Sequence, residues 1–212
     1  MQTKWDMDYS LYLVTNKYDE EHLSKFLSQI EKALEGGVTV LQLRAKRLST
    51  RRFYEVALQV KALARRYEVP FIVNDRLDIA LAVAADGLHI GQDDLPAAEA
   101  RRWLGKDKIL GVSVRKLEEA LQAFKDGADY LGVGAMFPTK TKNDAAAASF
   151  EELRNIQIAV NLPIVAIGGI NSKNAALMKK EGVQGIAVVS AILEQADPAY
   201  AVKELRDVFL CG

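Results

Sequence analysis

The stretch Asn74–Asp94, NDRLDIALAVAADGLHIGQDD, ends one apolar run, FIVND (Phe71–Asp75), and carries the next, GLHIG (Gly87–Gly91). Between them, Arg76–Ala85 places apolar residues at helical spacing. FIVND is apolar until its last two residues, the pattern of a strand buried on both faces. Strand, short helix and strand in so little sequence read as a parallel crossover unit. With the two strands as parallel neighbours, Asp75 and Asp94 project from one carboxyl-terminal rim. Two carboxylates held together there repel each other unless a positive group lies between them. Mg²⁺ answers that need, since it takes one or two carboxylates and completes its octahedron with water and phosphate oxygens. The competing reading is that each Asp caps the helix after it.

The same alternation continues in both directions. Upstream lie LYLVTN (Leu11–Asn16), a helix over 19–34 stopped by Gly36-Gly37, VTVLQLR (Val38–Arg44), and a helix capped by Ser49 that runs to Tyr67. Downstream lie a helix in LPAAEARRWLG, KILGVSV (Lys108–Val114), a helix over 116–125, and YLGVGAMF (Tyr130–Phe137). After the loop PTKTKNDAAAAS come a helix from Phe150, PIVAIGGI (Pro163–Ile170), a helix over 172–181, GIAVVSAI (Gly185–Ile192), and a last helix from Pro198. EGGVTVLQL, AADGLHI, KDGADYLGV and KEGVQGIAV form a weak internal echo, each a helix ending near Gly and running into a strand. Strict alternation of apolar strands with helices implies a parallel sheet. The reading is an α/β fold: a closed (β/α)₈ TIM barrel in one domain spanning 1–212, with 1–8 a polar lead-in. A doubly wound open sheet is the alternative, disfavoured because the early strand-helix turns lack a glycine-rich dinucleotide fingerprint.

Composition bounds the function. Lys+Arg and Asp+Glu are equal at 28 each, so no overall field draws nucleic acid or an anionic membrane. One cysteine, Cys211, leaves no intramolecular disulfide and no cysteine-based metal site, which fits a reducing cytoplasm. The N-terminus has no signal-like apolar region, and no run approaches ~18 apolar residues. The expectation is a cytoplasmic protein, with a homo-oligomer left open.

In a parallel barrel the site is built from strand ends and the loops after them. Gln42 and Arg44 alternate onto one face of the second strand, with Lys46 just beyond. An inward Arg needs an anion, either a ligand phosphate or a protein carboxylate. Ser113 in GVSV offers a hydroxyl, although a barrel serine bonded to backbone is common. Thr139, Thr141 and Lys142 in FPTKTK put two hydroxyls and a cation on a loop long enough to close as a lid, or form a solvated polar loop. Gly168 and Gly169 permit close backbone approach, and Val189-Ser190 offer main-chain donors, where this fold commonly binds phosphate. His22 is expected on the surface of the first helix. His89 is expected to hold a core hydrogen bond rather than act as a base, and Trp103 and the other aromatics to serve packing. The sequence contains no Ser/His/Asp set, HExxH or Walker loop. Cations, hydroxyls, amides and a carboxylate pair suit holding phosphorylated molecules better than abstracting a proton.

Taken together, QLRxK (Gln42–Lys46), the run Asn74–Asp94, GVS (Gly111–Ser113), TxTK (Thr139–Lys142), AIGGI and VVSAI resemble thiamine-phosphate synthases, from about Tyr9 to Leu210. The resemblance implies a transferase of thiamine biosynthesis that joins hydroxymethylpyrimidine pyrophosphate to thiazole phosphate and releases pyrophosphate. It implies that Asp75 and Asp94 ligate Mg²⁺, that Arg44, Lys46 and Lys142 hold the pyrophosphate, and that Gln42, Asn74 and Ser113 meet the pyrimidine. Thr139, Thr141, Gly169, Val189 and Ser190 would cradle the thiazole phosphate, and Arg44, Lys46, Ser113 and Lys142 would serve catalysis. The chain departs from the family's pattern at Ala45, often acidic there, and in NDAAAAS, where a Pro/Gly-containing loop is usual. Two rivals are a thiazole tautomerase-like isomerase, expected to lack part of the pyrophosphate apparatus, and a non-catalytic ligand-sensing barrel that needs no Mg²⁺.

Overall fold

The computed structural model describes residues 7–15, 18, 22–139 and 148–211. Among the described residues there are eight strands, β1 (Leu11–Val14), β2 (Val40–Leu43), β3 (Phe71–Asn74), β4 (Gly87–Ile90), β5 (Ile109–Val114), β6 (Tyr130–Val133), β7 (Ile164–Ile167) and β8 (Gly185–Val188). They pair in parallel in sequence order, and β8 returns to β1 to close the barrel. The helices between them are α1 (Leu23–Gly36), α2 (Thr50–Arg66), α3 (Leu77–Ala82), α4 (Ala97–Leu104), α5 (Leu117–Lys125), α6 (Phe150–Ala159) and α7 (Ala175–Lys180). A short α8 (Ser190–Leu193) and a long α9 (Pro198–Cys211) finish the chain. No helix of the described residues is long and apolar enough to cross a membrane.

Closure explains why the strands read as unbroken apolar runs. Successive side chains on a strand face opposite ways, and here both directions are dry. Leu11, Leu13, Leu41, Leu43, Phe71, Val73, Leu88 and Leu110 face outward into the core shared with the helices. Tyr12, Val14, Val40, Ile72, Ile109, Tyr130, Val165 and Ala187 face inward and form a second, separate core. An open sheet would have no such enclosed layer.

Several boundaries differ from the sequence reading. The eighth apolar run is a strand only to Val188, and Ser190 opens α8. Strands six and seven end at Val133 and Ile167; past the rim both segments leave the ladder for loops that stay tied together, the Met136 and Phe137 N–H groups donating to the Ile167 and Gly168 carbonyls. Gly36 does not stop its helix; it is the last residue of α1. A Cβ there would lie 2.7 Å from the Ala199 carbonyl oxygen and 2.8 Å from Val202 Cβ, so its absence lets α1 and α9 pack closely. Gly37, left-handed at φ 102°, makes the stop. The Ser49 cap is present, its hydroxyl accepting from the Arg52 N–H, and Ser149 does the same for α6. Trp103 does not pack in the core: it is 61% exposed, beneath the Arg102 guanidinium.

The amino-terminal face of the barrel is tied by one side chain. Arg101 on α4 donates to the carbonyls of Gly105, Gly127 and Lys108 and to the Asp129 carboxylate, which also accepts the Leu110 N–H. That knot holds the starts of β5 and β6 in register, leaving the opposite face for the site.

Candidate active site

The carboxyl-terminal ends of β2, β3 and β4 supply the charged part of the rim. β3 delivers Asn74 inward, 8% exposed, and the chain then kinks: Asp75 has φ 63°, left-handed backbone that Asp tolerates better than most side chains. The Asp75 N–H donates to the His89 carbonyl at 2.8 Å, which holds the kink against β4. Asp94 lies in the loop after β4, its Oδ2 accepting the Gly91 N–H at 2.7 Å. Neither residue caps a helix, because the N-cap positions of α3 and α4 belong to Arg76 and Pro96.

The two carboxyl groups come within hydrogen-bonding reach of each other. Burial pushes the Asp75 carboxyl above the usual carboxylate range, and Asp94 pushes it further; Lys46 opposes both. The Lys46 ammonium sits 3.3 Å from Asp75 Oδ2 but is itself half exposed, a weak counter-charge. The pair is therefore short of positive charge. Among the described residues no group of three or more His, Cys, Asp or Glu side chains converges as a metal cage. Two carboxylates suit a hard cation that keeps water and ligand oxygens in its shell, which fits Mg²⁺ and not a closed structural zinc site. Beside the pair lies a cavity of about 160 Å³ lined by Ala45, Lys46, Phe53, Asn74, Asp75 and Arg76.

Gln42 points inward, 4% exposed, as alternation requires. Arg44 differs from the sequence reading: β2 ends at Leu43, and Arg44 is only partly buried just beyond it. Its backbone N–H donates to Thr15 Oγ1 at 2.9 Å, pinning the segment to the end of β1. Ser113 is the inward residue near the end of β5, and the Gln92 side chain donates to its carbonyl at 2.7 Å.

The loops after β6 and β7 touch. Gly168 and Gly169 have φ 97° and 66°, and a Cβ on Gly169 would lie 2.5 Å from the Pro138 carbonyl oxygen. Only glycine allows both that backbone and that approach, and it brings the Phe137–Pro138 segment, with Thr139 next in the chain, against the glycine pair. The Gly169 carbonyl is turned away by the Asn171 and Asn174 side-chain amides. Val189 and Ser190 begin α8, so the amides there are not used by the helix itself. Thr141, Lys142 and Ala145–Ala147 lie outside the described residues, while Ala148 is buried and donates its N–H to the Ala135 carbonyl.

Two residues of the site were not picked out from sequence. Tyr12 and Tyr130, read there as packing, are hydrogen-bonded to each other in the barrel interior, with Gln42 on one side and His89 on the other. Burial pushes both phenols well above the ordinary tyrosine value, so they stay neutral. The available signal was a tyrosine at an inward position of β1 and of β6, with a glycine, Gly111, at the inward position of β5 that faces Tyr130.

The chain matches the family described as "Thiamine monophosphate synthase" over residues 11–192. It is 50% identical over 204 residues to the thiamine-phosphate synthase of Methanobrevibacter smithii, covering 96% of this chain and 97% of that relative. It is 52% identical over 209 residues to that of Ruminiclostridium cellulolyticum, covering 98% of each. Among solved structures, the thiamine phosphate pyrophosphorylase from Pyrococcus furiosus superposes with a TM-score of 0.85 at 42% identity, over 96% of both chains.

Proposed function

This chain belongs to the thiamine monophosphate synthase family, and on that premise we propose how its rim performs the transfer. As a transferase it moves the hydroxymethylpyrimidine group from its pyrophosphate to thiazole phosphate, giving thiamine phosphate and pyrophosphate. The observation that supports the assignment of roles is the contact between Asp75 and Asp94, with Lys46 3.3 Å from Asp75. Mg²⁺ held by these carboxylates would neutralise the charge that grows on the departing pyrophosphate.

The protein's own groups do the rest. Arg44, Lys46 and Lys142 bind the pyrophosphate oxygens and hold them as the carbon–oxygen bond breaks. Gln42, Asn74 and Ser113 hold the pyrimidine ring, whose amino group feeds electrons to the methylene carbon left behind. Thr139, Thr141, Gly169, Val189 and Ser190 hold the thiazole phosphate with its ring nitrogen facing that carbon. The nitrogen lone pair forms the new bond, and no proton has to move. A general base is therefore unnecessary, and proximity replaces it.

The test is to mix both substrates with and without Mg²⁺ and to measure pyrophosphate and thiamine phosphate together. Equimolar appearance of both, only with Mg²⁺, is the expected result. Thiazole isomerisation without the pyrimidine substrate, or binding without turnover, would overturn the assignment.

A further inference from the structure

Five side chains from five strands form one continuous hydrogen-bonded line across the inside of the barrel. Gln42 Nε2 on β2 donates to the Tyr12 hydroxyl on β1 at 2.8 Å. Tyr12 and Tyr130, the latter on β6, share a 2.7 Å bond between hydroxyls. The Tyr130 hydroxyl meets His89 Nδ1 on β4 at 2.8 Å, and His89 Nε2 meets Ser113 Oγ on β5 at 2.8 Å. The neighbouring strands make room for the line: a Cβ on Gly111 would lie 2.1 Å from Tyr130 Cζ, and one on Gly132 would lie 3.1 Å from His89 Cε1.

Each hydroxyl has one proton, so one end of the line sets the direction of every bond in it. Tyr12 accepts from Gln42 and therefore gives its own proton to Tyr130. Tyr130 then donates to His89 Nδ1, which must be the bare nitrogen. His89 consequently carries its proton on Nε2 and donates it to Ser113. The two ends are thereby fixed together: Gln42, with one Nε2 hydrogen spent on Tyr12, keeps its carbonyl oxygen to accept beside its second N–H, and Ser113 has its hydroxyl proton left to donate. We propose that Tyr12, Tyr130 and His89 are positioning residues that impose this polarity, so that the site offers an acceptor at Gln42 and a donor at Ser113 to an aminopyrimidine. That the ligand is an aminopyrimidine rests on the function proposed above; the polarity of the line does not. An amino group and a ring nitrogen match the two ends, whereas the 4-oxo analogue offers a carbonyl to the Gln42 oxygen and is rejected.

Two measurements test this. The chain has two histidines, so ¹⁵N labelling of histidine, with His22→Gln for assignment, reads the His89 tautomer in the unliganded wild-type protein. A neutral ring protonated on Nε2 is expected; a ring protonated on Nδ1, or on both nitrogens at neutral pH, overturns the proposal. In steady-state kinetics, Tyr130→Phe should raise the KM for the pyrimidine pyrophosphate about tenfold, leaving kcat and the KM for thiazole phosphate within about twofold. It should also lose most of the preference for the amino over the oxo compound. His89→Gln, which keeps a donor near Ser113, should recover most of what His89→Leu loses. Equal changes in both KM values, or an undiminished amino preference in Tyr130→Phe, would show that these residues only pack. A wild-type protein with the expected tautomer but no affinity for the pyrimidine pyrophosphate would sink the function and leave the polarity standing.

Discussion

Replacing Asp75 by Asn separates the cost of the carboxylate pair from its use. Asn keeps the size of the side chain and tolerates the left-handed backbone at φ 63°, so strain is not introduced. What changes is charge. At an effective dielectric of ~20, two unit charges ~4 Å apart interact by about 4 kcal/mol. The Asp75–Asp94 repulsion is of that order, and the Lys46 attraction opposes it. Lys46 is 52% exposed, which reduces its share to about 1 kcal/mol or less. Removing the Asp75 charge should therefore stabilise the metal-free protein by about 1–2 kcal/mol, once relaxation and solvent screening are allowed for. For a chain of this size that raises Tm by about 2–8 °C. The pH dependence has a definite sign. The folded-state pKa of Asp75 is raised above its ordinary 3.8, so in that window the native protein binds more protons than the unfolded chain. Its stability then falls as pH rises through the window, and the Asn variant lacks this fall.

Magnesium offsets the difference. At about ten times its Kd it should stabilise the wild type by about 1.4 kcal/mol and the variant hardly at all. The assay is thermal unfolding in chelator and across a Mg²⁺ titration, with product formation measured alongside. Turnover of the variant should fall at least ~100-fold. A variant less stable than wild type in chelator, or one that gains as much from Mg²⁺, would refute the reasoning.

Three further outcomes follow from the same structure. Lys142→Ala should lower kcat by roughly 100-fold or more, since the lysine is assigned to the departing pyrophosphate; a rate near wild type would remove it from the mechanism. Arg101→Ala should cost about 3 kcal/mol by taking the counter-charge away from the partly buried Asp129 carboxylate, seen as a Tm lower by about 6–12 °C. Its kcat at 25 °C should be unchanged, because the knot lies on the face away from the site. Gly111→Ala should destabilise by about 1–3 kcal/mol, since its methyl would overlap the Tyr130 ring, and it should raise the pyrimidine KM as Tyr130→Phe does.

The barrel was legible in sequence because alternation, strand length and apolar strands are local properties of the chain. The run Asn74–Asp94 placed two acids at the ends of adjacent parallel strands, and their contact follows from that topology. Arg44 was harder, since alternation carries a side chain inward only while the strand lasts, and pairing with β3 stops at Leu43. The same limit explains Ser190, which continues an apolar run in sequence yet starts a helix in space.

By itself the sequence determined which chemical groups this rim possesses: cations, hydroxyls, glycines and paired carboxylates, each tied to a strand end by its position in the repeat. Only the tertiary structure decided which buried polar groups bond across the barrel. Tyr12 and Tyr130 are 118 residues apart, and no local pattern distinguishes a phenol that packs from one that passes a hydrogen bond. Closure of the sheet brings the first and sixth strands face to face across a dry interior, where each polar group must find a partner, and it is that requirement that orders the line from Gln42 to Ser113.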